Sequence, residues 1–229
     1  MNRTLGALVI GQSPRPDLTQ PLRDLLPADV VLREVGALDG LTLADLPDAS
    51  GAAYPLGTRM RDGTAVTIPE SFLLPLLQQQ LDALEADDVA ATVLLCAGSF
   101  AELRGKRPLF KPFDIAQATL TSLGLRRIAT LTPFAGQITP IQQRWHAAGF
   151  AAHVWARPLA DTADFANWLR GQLAQTEGVD CLLLDYVGHD PQARMWLQTA
   201  CTELAEVAVS LPILDLGHLT LSTAAAALR

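Results

Sequence analysis

Short apolar runs alternate with longer amphipathic stretches along most of this 229-residue chain. The runs at 5–10, 30–35 and 91–96 have the length and the branched side chains of buried strands. Between the last two, residues 70–88 repeat leucine at helical spacing. Parallel strands need a long crossover connection, which is usually a helix. The alternation therefore predicts an α/β fold around mostly parallel sheets.

One segment departs from this alternation. Residues 53–68 form two extended arms around Asp62-Gly63, a dipeptide typical of hairpin turns. They predict an antiparallel hairpin inserted in the first part of the chain. Arg59 and Arg61 have strand spacing and are predicted to lie on one face of it. Either they form an exposed basic edge that prevents strand pairing, or one of them folds over a ligand carboxylate as part of a lid.

The charge balance and the motif content limit the classes of partner. A formal net charge of −7 and a pI near 5.0 argue against nucleic acid or an anionic membrane as the main partner. No apolar run approaches the ~20 residues of a membrane helix, and the first residues lack the features of a signal peptide. The cysteines and histidines have no metal-ligand spacing, and no nucleotide or pyridoxal motif is present. We expect a cytoplasmic protein with reduced thiols and no cofactor.

The segment IGQSPRPD (10–17) follows the first predicted strand and contains a candidate anion site. Ser13 and the backbone N–H groups of a strand-to-helix turn can hold an anion, with Arg15 as a bidentate clamp. The alternative is a turn stiffened by proline, with Arg15 in solvent. The residues alone favour neither interpretation.

The segment VLLCAGSF (93–100) ends a predicted strand with a thiol and small residues. Cys96 is followed by Gly98, Ser99 and Phe100, and small residues allow backbone N–H groups to approach a ligand, as an oxyanion hole requires. Considered alone, a cysteine at such a position is more often a small core residue. For Cys181 and Cys201, in a predicted strand and a predicted helix, core packing is the default.

The segment LLLDYVGHD (182–190) has the same form, an apolar strand that ends in a polar turn with glycine. Tyr186 or His189 can exchange protons there. In the alternative interpretation Asp185 or Asp190 caps the following helix and His189 is exposed. With the end of the strand at 127–133 added, the candidate binding residues are Ser13, Arg15, Arg59, Gly98, Ser99, Phe100, Thr132, Val187 and Gly188.

Five segments together resemble the AroM family over nearly the whole chain: IGQSPRPD, TRMRDGTAV, LLCAGSF, RPLFKP and LLLDYVGH. That family is similar in turn to the aspartate/glutamate racemase superfamily, whose members have two pseudo-symmetric α/β halves and a cysteine from each half in the site between them. The resemblance implies two Rossmann-like lobes with an active-site cleft between them. Residues 1–100 with 211–229 would form the N-terminal lobe, which carries the hairpin, and residues 101–210 the C-terminal lobe.

The resemblance also implies roles for individual residues. Cys96 would occupy the place of the catalytic cysteine of the first half, with Gly98 and Ser99 in its anion-binding turn. The second cysteine would fall on Tyr186, so this chain departs from the two-cysteine pattern. Tyrosine has an unperturbed pKa of ~10 against ~8.5 for cysteine, which makes it a poor replacement in racemisation by two thiols.

Two functions are consistent with these features. The first is a cofactor-independent isomerase, racemase, decarboxylase or lyase that acts on a small carboxylate such as an amino or hydroxy acid. In it Cys96 would be the acid/base or nucleophile, and Tyr186 or His189 would assist. The alternative is a non-catalytic, regulatory protein that binds a small carboxylate on the same scaffold. In both cases the partner is a small-molecule carboxylate rather than nucleic acid or membrane, and the family is compatible with a homodimer.

Overall fold

The computed structural model describes most of the chain, namely residues 3–132, 135–157, 164–185, 187–188, 194–195, 198–199, 202 and 211–229. The chain divides into two compact units, Met1–Ile115 with His218–Arg229 and Ala116–Gly217. The boundaries lie within two helices, α3 (Pro112–Ser122) and α6 (Leu216–Ala227).

The first unit contains six strands, which are β1 (Arg3–Val9), β2 (Val30–Gly36), β3 (Pro55–Arg59), β4 (Ala65–Pro69), β5 (Ala91–Leu94) and β6 (Leu109–Phe110). Four of them form a parallel sheet in the order β2-β1-β5-β6, with β1 and β5 in its centre. Both central strands consist of buried residues over most of their length, as expected for a parallel sheet covered on two faces. The very short β6 was not predicted, because two residues carry no periodic signal.

Two helices of the first unit are α1 (Pro16–Arg23) and α2 (Glu70–Ala86). The leucine stripe of α2 is confirmed, since its four leucines are almost completely buried: Leu73, Leu77, Leu81 and Leu84. Three of them, Leu73, Leu77 and Leu81, belong to a hydrophobic cluster with Leu8, Leu94, Cys96 and Phe100. Burial of each such side chain contributes about 1.5–3 kcal/mol relative to exposure, which anchors α2 firmly to the unit.

The predicted hairpin is confirmed as an antiparallel pair of β3 and β4. Its turn contains Asp62, whose carboxylate accepts a hydrogen bond from the Thr64 N–H at 2.9 Å, and Gly63 at φ +90°, a conformation that favours glycine. The prediction that Arg59 and Arg61 share a strand face is wrong, because β3 ends at Arg59 and Arg61 lies in the turn.

The strands of the second unit are β7 (Arg127–Thr132), β8 (Ala151–Ala156), β9 (Cys181–Leu184) and β10 (Ile213–Asp215). They form a parallel sheet in the order β10-β9-β7-β8. Two further helices are α4 (Ile138–Ala147) and α5 (Phe165–Ala174). The last strand and the last helix follow each other without a loop, since β10 ends at Asp215 and α6 starts directly at Leu216.

The two sheets have the same topology. In each, the first strand lies between the second and the third, so β1 corresponds to β7 and β5 to β9. The prediction of a mostly parallel α/β fold in two lobes is confirmed. Within the described residues no helix is long and apolar enough to cross a membrane.

Candidate functional site

The carboxyl ends of β1 and β5 form a topological switch point in the first unit. The chain leaves β1 toward β2 on one side and leaves β5 toward β6 on the other. The register pairs Leu8 with Leu94, so both strands end at the same edge of the sheet. Ligands of open α/β sheets bind at such a point. The turn with Ser13 follows one strand and Cys96 follows the other.

Asp39 binds the turn after β1. Its carboxylate accepts hydrogen bonds from the Ser13 N–H at 2.8 Å, from the Ser13 hydroxyl at 2.7 Å and from the Gly36 N–H at 2.8 Å. The Ser13 hydroxyl therefore already donates its proton within the protein. Toward a ligand it offers its acceptor lone pairs.

Gln12 and Arg61 connect this turn to the hairpin. The Gln12 side-chain amide donates to the carbonyl oxygens of Leu38 and Leu41 at 3.1 and 2.8 Å, and its oxygen accepts from the Arg61 N–H at 2.8 Å. The Arg61 guanidinium in turn donates to the Ser13 carbonyl at 2.7 Å and lies 3.4 Å from Asp39. Arg61 thus stabilises the turn through intramolecular contacts.

Arg15 is bound by a neighbouring carboxylate. Its guanidinium donates through Nε and Nη2 to the two oxygens of Asp17 at 2.8 and 2.6 Å, and through Nη1 to the Thr58 hydroxyl at 3.3 Å. The Arg15 side chain is 13% exposed, against 50% for Asp17. The Arg15 hydrogen bonds lower the pKa of Asp17 although partial burial opposes them, and the charge of the exposed Arg59 adds a smaller contribution.

The hairpin approaches the turn so closely that Gly11 has no room for a side chain. A Cβ atom there would lie 2.4 Å from the Thr58 hydroxyl oxygen and 2.5 Å from the Arg59 carbonyl oxygen. The Gln12 N–H donates to the same Arg59 carbonyl at 3.1 Å. The structure therefore brings Ser13, Arg15 and Arg59 together around this contact.

Cys96 is the second residue after β5 and is 8% exposed. The Gly98 N–H donates a hydrogen bond to its sulfur at 3.4 Å. A thiolate accepts this kind of interaction, and Cys96 otherwise belongs to the hydrophobic cluster of the first unit. No helix starts directly after the thiol, because the next helix is α3, which begins at Pro112.

Phe100 holds the segment after Cys96 in a strained conformation. Its φ of +38° is rare for an aromatic residue and costs about 1–3 kcal/mol. Its ring is 1% exposed and lies in the hydrophobic cluster, so the side chain points into the core, while Ser99 is half-buried. The Phe100 N–H donates to Glu70 Oε1 at 3.0 Å, and its carbonyl accepts from Lys111 Nζ at 3.5 Å.

Cys181 has a different environment from Cys96. It begins β9 and is fully buried. Burial, assisted by the negative charge of Asp180, raises the pKa of Cys181 to about 12. Its thiol therefore stays protonated at neutral pH, and its complete burial confirms the predicted role in core packing. Cys201 lies outside the described residues.

At the equivalent edge of the second unit, β7 ends at Thr132 and β9 is followed by Asp185. The buried Thr132 hydroxyl donates to Gln137 Oε1 at 2.9 Å. Asp185 is buried and accepts from the Arg144 guanidinium and, at 2.7 Å, from Trp145 Nε1. Burial raises the pKa of Asp185, although Arg144 and Trp145 oppose this effect. Asp185 thus binds α4 through two of its side chains, and Asp190, the other candidate for a helix cap, lies outside the described residues.

The remaining candidates of the second unit are only partly described. Val187 is half-buried, and Gly188 is exposed with φ +89°. Tyr186 and His189 lie outside the described residues. Over the part of the chain that is described, no group of three or more His, Cys, Asp or Glu residues is arranged to hold a metal ion.

Sequence reasoning missed the residues that support the site. Asp39 lies 26 residues from Ser13, Glu70 lies 30 from Phe100, and Gln12 lies 49 from Arg61. Contacts at such separations leave no local pattern in the sequence. The exception is Asp17, whose position two residues after Arg15 was a visible sign that the arginine has an internal partner.

Similarity to solved structures places the fold among racemase-like α/β proteins. The chain is similar to arylmalonate decarboxylase with a TM-score of 0.63 and 14% identity, over 99% of this chain and 92% of that one. For allantoin racemase from Klebsiella pneumoniae the TM-score is 0.59 at 14% identity, over 98% and 86%. For the maleate isomerase from Pseudomonas putida S16 it is 0.53 at 17% identity, over 99% and 92%.

Sequence comparison defines the family within this fold class. The AroM protein family matches residues 5–212, and the chain belongs to that family. The predicted resemblance is therefore confirmed. A search of the curated proteins found no match.

Proposed function

We propose that this protein is a cofactor-independent enzyme that acts on a small carboxylate, with Cys96 as the acid/base or nucleophile. The observation that carries this proposal is the Gly98 N–H directed at the Cys96 sulfur at the switch point of the first sheet. A thiol held in this way is prepared to exchange a proton or to attack a substrate. Cys181, with its raised pKa and complete burial, is unsuited to either role.

The reaction that we propose needs a thiol on one side of the substrate only. Tyr186 is the second residue after β9, as Cys96 is the second residue after β5, so the equivalent position carries a phenol. Protonation after decarboxylation, isomerisation and lyase chemistry are all compatible with one thiol. Proteins of similar fold include a decarboxylase and an isomerase as well as racemases, which supports this range of reactions. Tyr186 or His189 would assist by proton exchange.

The substrate carboxylate would bind at Arg15. A guanidinium fork with two parallel donors matches a carboxylate, and the Arg15 fork is occupied by Asp17 in just this manner. A ligand would replace Asp17 and gain Arg59 as a neighbouring charge. Ser13 would accept a hydrogen bond from an amino or hydroxyl group of the ligand, because its own proton is donated to Asp39. Gly98, Ser99, Thr132, Val187 and Gly188 remain candidates for further contacts.

Binding without catalysis is the second candidate, and the tyrosine in place of a second cysteine favours it. A thermal-shift screen of amino, hydroxy and dicarboxylic acids would find ligands. Each ligand would then be incubated in D₂O and followed by NMR for α-carbon exchange or new products. We expect turnover in the wild type and in C181A, and binding without turnover in C96A. Ligand binding with no exchange and no product in the wild type would favour the regulatory function, and turnover by C96A would contradict the role of Cys96.

A further inference from the structure

We propose that Glu70 is a positioning residue for Cys96. Its carboxylate holds the Phe100 amide and thereby fixes the loop whose Gly98 N–H is directed at the Cys96 sulfur. This inference deepens the proposed function and rests on it, but the contact itself lies away from the thiol. Glu70 accepts the Phe100 N–H at 3.0 Å, and the Gly98 N–H two residues earlier in the chain is the donor to the Cys96 sulfur.

Glu70 is a firm point of attachment. It is the first residue of α2, which is anchored by the buried leucine stripe, and its own N–H donates to the Tyr54 carbonyl at 3.1 Å. Half-buried beside the start of the helix, its carboxylate also benefits from the positive end of the helix dipole. The chain therefore places a fixed acceptor at the loop that follows Cys96.

Phe100 transmits this attachment to Gly98. With φ at +38°, the Phe100 backbone does not adopt its conformation by intrinsic preference and needs external contacts to retain it. Its buried ring lies directly against Gly98, because a Cβ atom added there would come within 2.6 Å of a ring carbon. A shift of the Phe100 peptide would therefore move Gly98, and with it the N–H that is directed at sulfur.

A second charged side chain holds the other end of the same residue. Lys111 Nζ lies 3.5 Å from the Phe100 carbonyl oxygen and 2.8 Å from Asp114, and the Lys111 side chain is 10% exposed. Glu70 on the N–H side and Lys111 on the carbonyl side thus fix both ends of Phe100. Glu70 thus contacts the segment from α2, and Lys111, the residue before α3, contacts it with Asp114 as its own ion-pair partner.

The test measures the pH dependence of Cys96 alkylation by iodoacetamide, followed at the Cys96 peptide by mass spectrometry. We compare the wild type with E70A, E70Q and E85A. Glu85 is the matched control, since it belongs to the same helix and its Oε1 accepts the Arg107 N–H at 2.9 Å in the neighbouring loop. E70A should move the midpoint of the alkylation rate to higher pH by at least ~0.5 unit, because the thiolate loses a hydrogen-bond donor.

The other variants separate positioning from general loosening. E70Q retains an acceptor oxygen for the Phe100 N–H and should keep the wild-type midpoint, and E85A should keep it as well. An unchanged midpoint in E70A, or an equal shift in E85A, would overturn the proposal. If E70A does not fold, E70D, which is one methylene shorter, replaces it with the same expectation. The alkylation rate is measured without substrate. The experiment therefore supports or contradicts the role of Glu70 even if Cys96 proves not to be catalytic.

Discussion

Arg15 and Asp17 form a bidentate ion pair in which an exposed carboxylate occupies a largely buried guanidinium fork. If this fork is the carboxylate site, Asp17 competes with the ligand, and D17N should bind malonate ~2- to 5-fold more tightly, the range expected for a partly exposed ion pair. Titration calorimetry measures this affinity. R15K should weaken binding, while D24N, which alters an acid at the end of the same helix, should not change it. Equal affinity of D17N and the wild type would contradict competition by Asp17.

Gly98 should tolerate no side chain. G98A forces a Cβ atom against the buried ring of Phe100, so we expect a loss of about 1–3 kcal/mol in the free energy of unfolding. Urea denaturation measures this loss. Gly171 is the matched control, because it lies inside α5 with nothing near its added Cβ, and G171A should be stabilising by roughly 0.5–1 kcal/mol. A wild-type stability for G98A would show that the ring moves away without cost.

The ion pair of Arg144 and Asp185 should couple the two residues energetically. Both side chains are buried, with 7% and 0% exposed, so R144M leaves an uncompensated carboxylate and should cost about 3–5 kcal/mol of stability. The double variant R144M/D185N should lose less than R144M, since the neutral amide oxygen still accepts from Trp145. A double-mutant cycle in urea measures the coupling. Additive losses would mean that the pair does not act as a unit.

Asp180 should make the stability of the second unit depend on pH in the acid range. Hydrogen bonds from the Arg127 side chain and from two backbone N–H groups lower the pKa of Asp180 to about 2, against ~3.9 in an unfolded chain. Its contribution is therefore complete above pH ~4 and is lost as the pH falls toward 2. D180N should be destabilised at pH 7, and its difference from the wild type should shrink between pH 4 and 2. In D82N, an exposed acid of α2, no such change is expected.

The two described cysteines should differ in reactivity. Cys181 is fully buried and its pKa is raised to about 12, so it should resist alkylation in the native protein at pH 8. Cys96 is slightly exposed and should react first. Peptide mass spectrometry after timed labelling, with a urea-unfolded sample as the control, measures both rates. Labelling of Cys181 at the rate of Cys96 would contradict this assignment.

The sequence was sufficient to predict the architecture, because strands and helices carry local signals. The leucine spacing of α2, the Asp62-Gly63 turn and the apolar run before Cys96 each correspond to an element of the structure. The similar form of VLLCAGSF and LLLDYVGHD also corresponds to a structural fact, since β5 and β9 take equivalent places in sheets of the same order.

The sequence was not sufficient to predict how the polar groups are paired. Ser13, Arg15 and Arg61 were considered as ligands for an external anion, whereas the structure pairs them with Asp39 and Asp17. Asp39 comes from the turn after β2, 26 residues from Ser13, and only the folded sheet brings the two together. Phe100, considered for binding, has its ring in the core because an unusual backbone angle turns it inward.

Because hydrogen bonds join the hairpin to the turn after β1, the length of the hairpin, residues 55–69, helps to set the position of that turn in the site. Hydrogen bonds of Gln12 and Arg61 join the hairpin tip to that turn. At Gly11 the hairpin and the turn are in such close contact that no side chain would fit between them. Adding or deleting one residue in the hairpin would change the distance that these bonds span and would displace Ser13. Grafting the turn into another α/β scaffold should therefore preserve its geometry when the hairpin is transferred with it, and distort that geometry when the turn is moved alone.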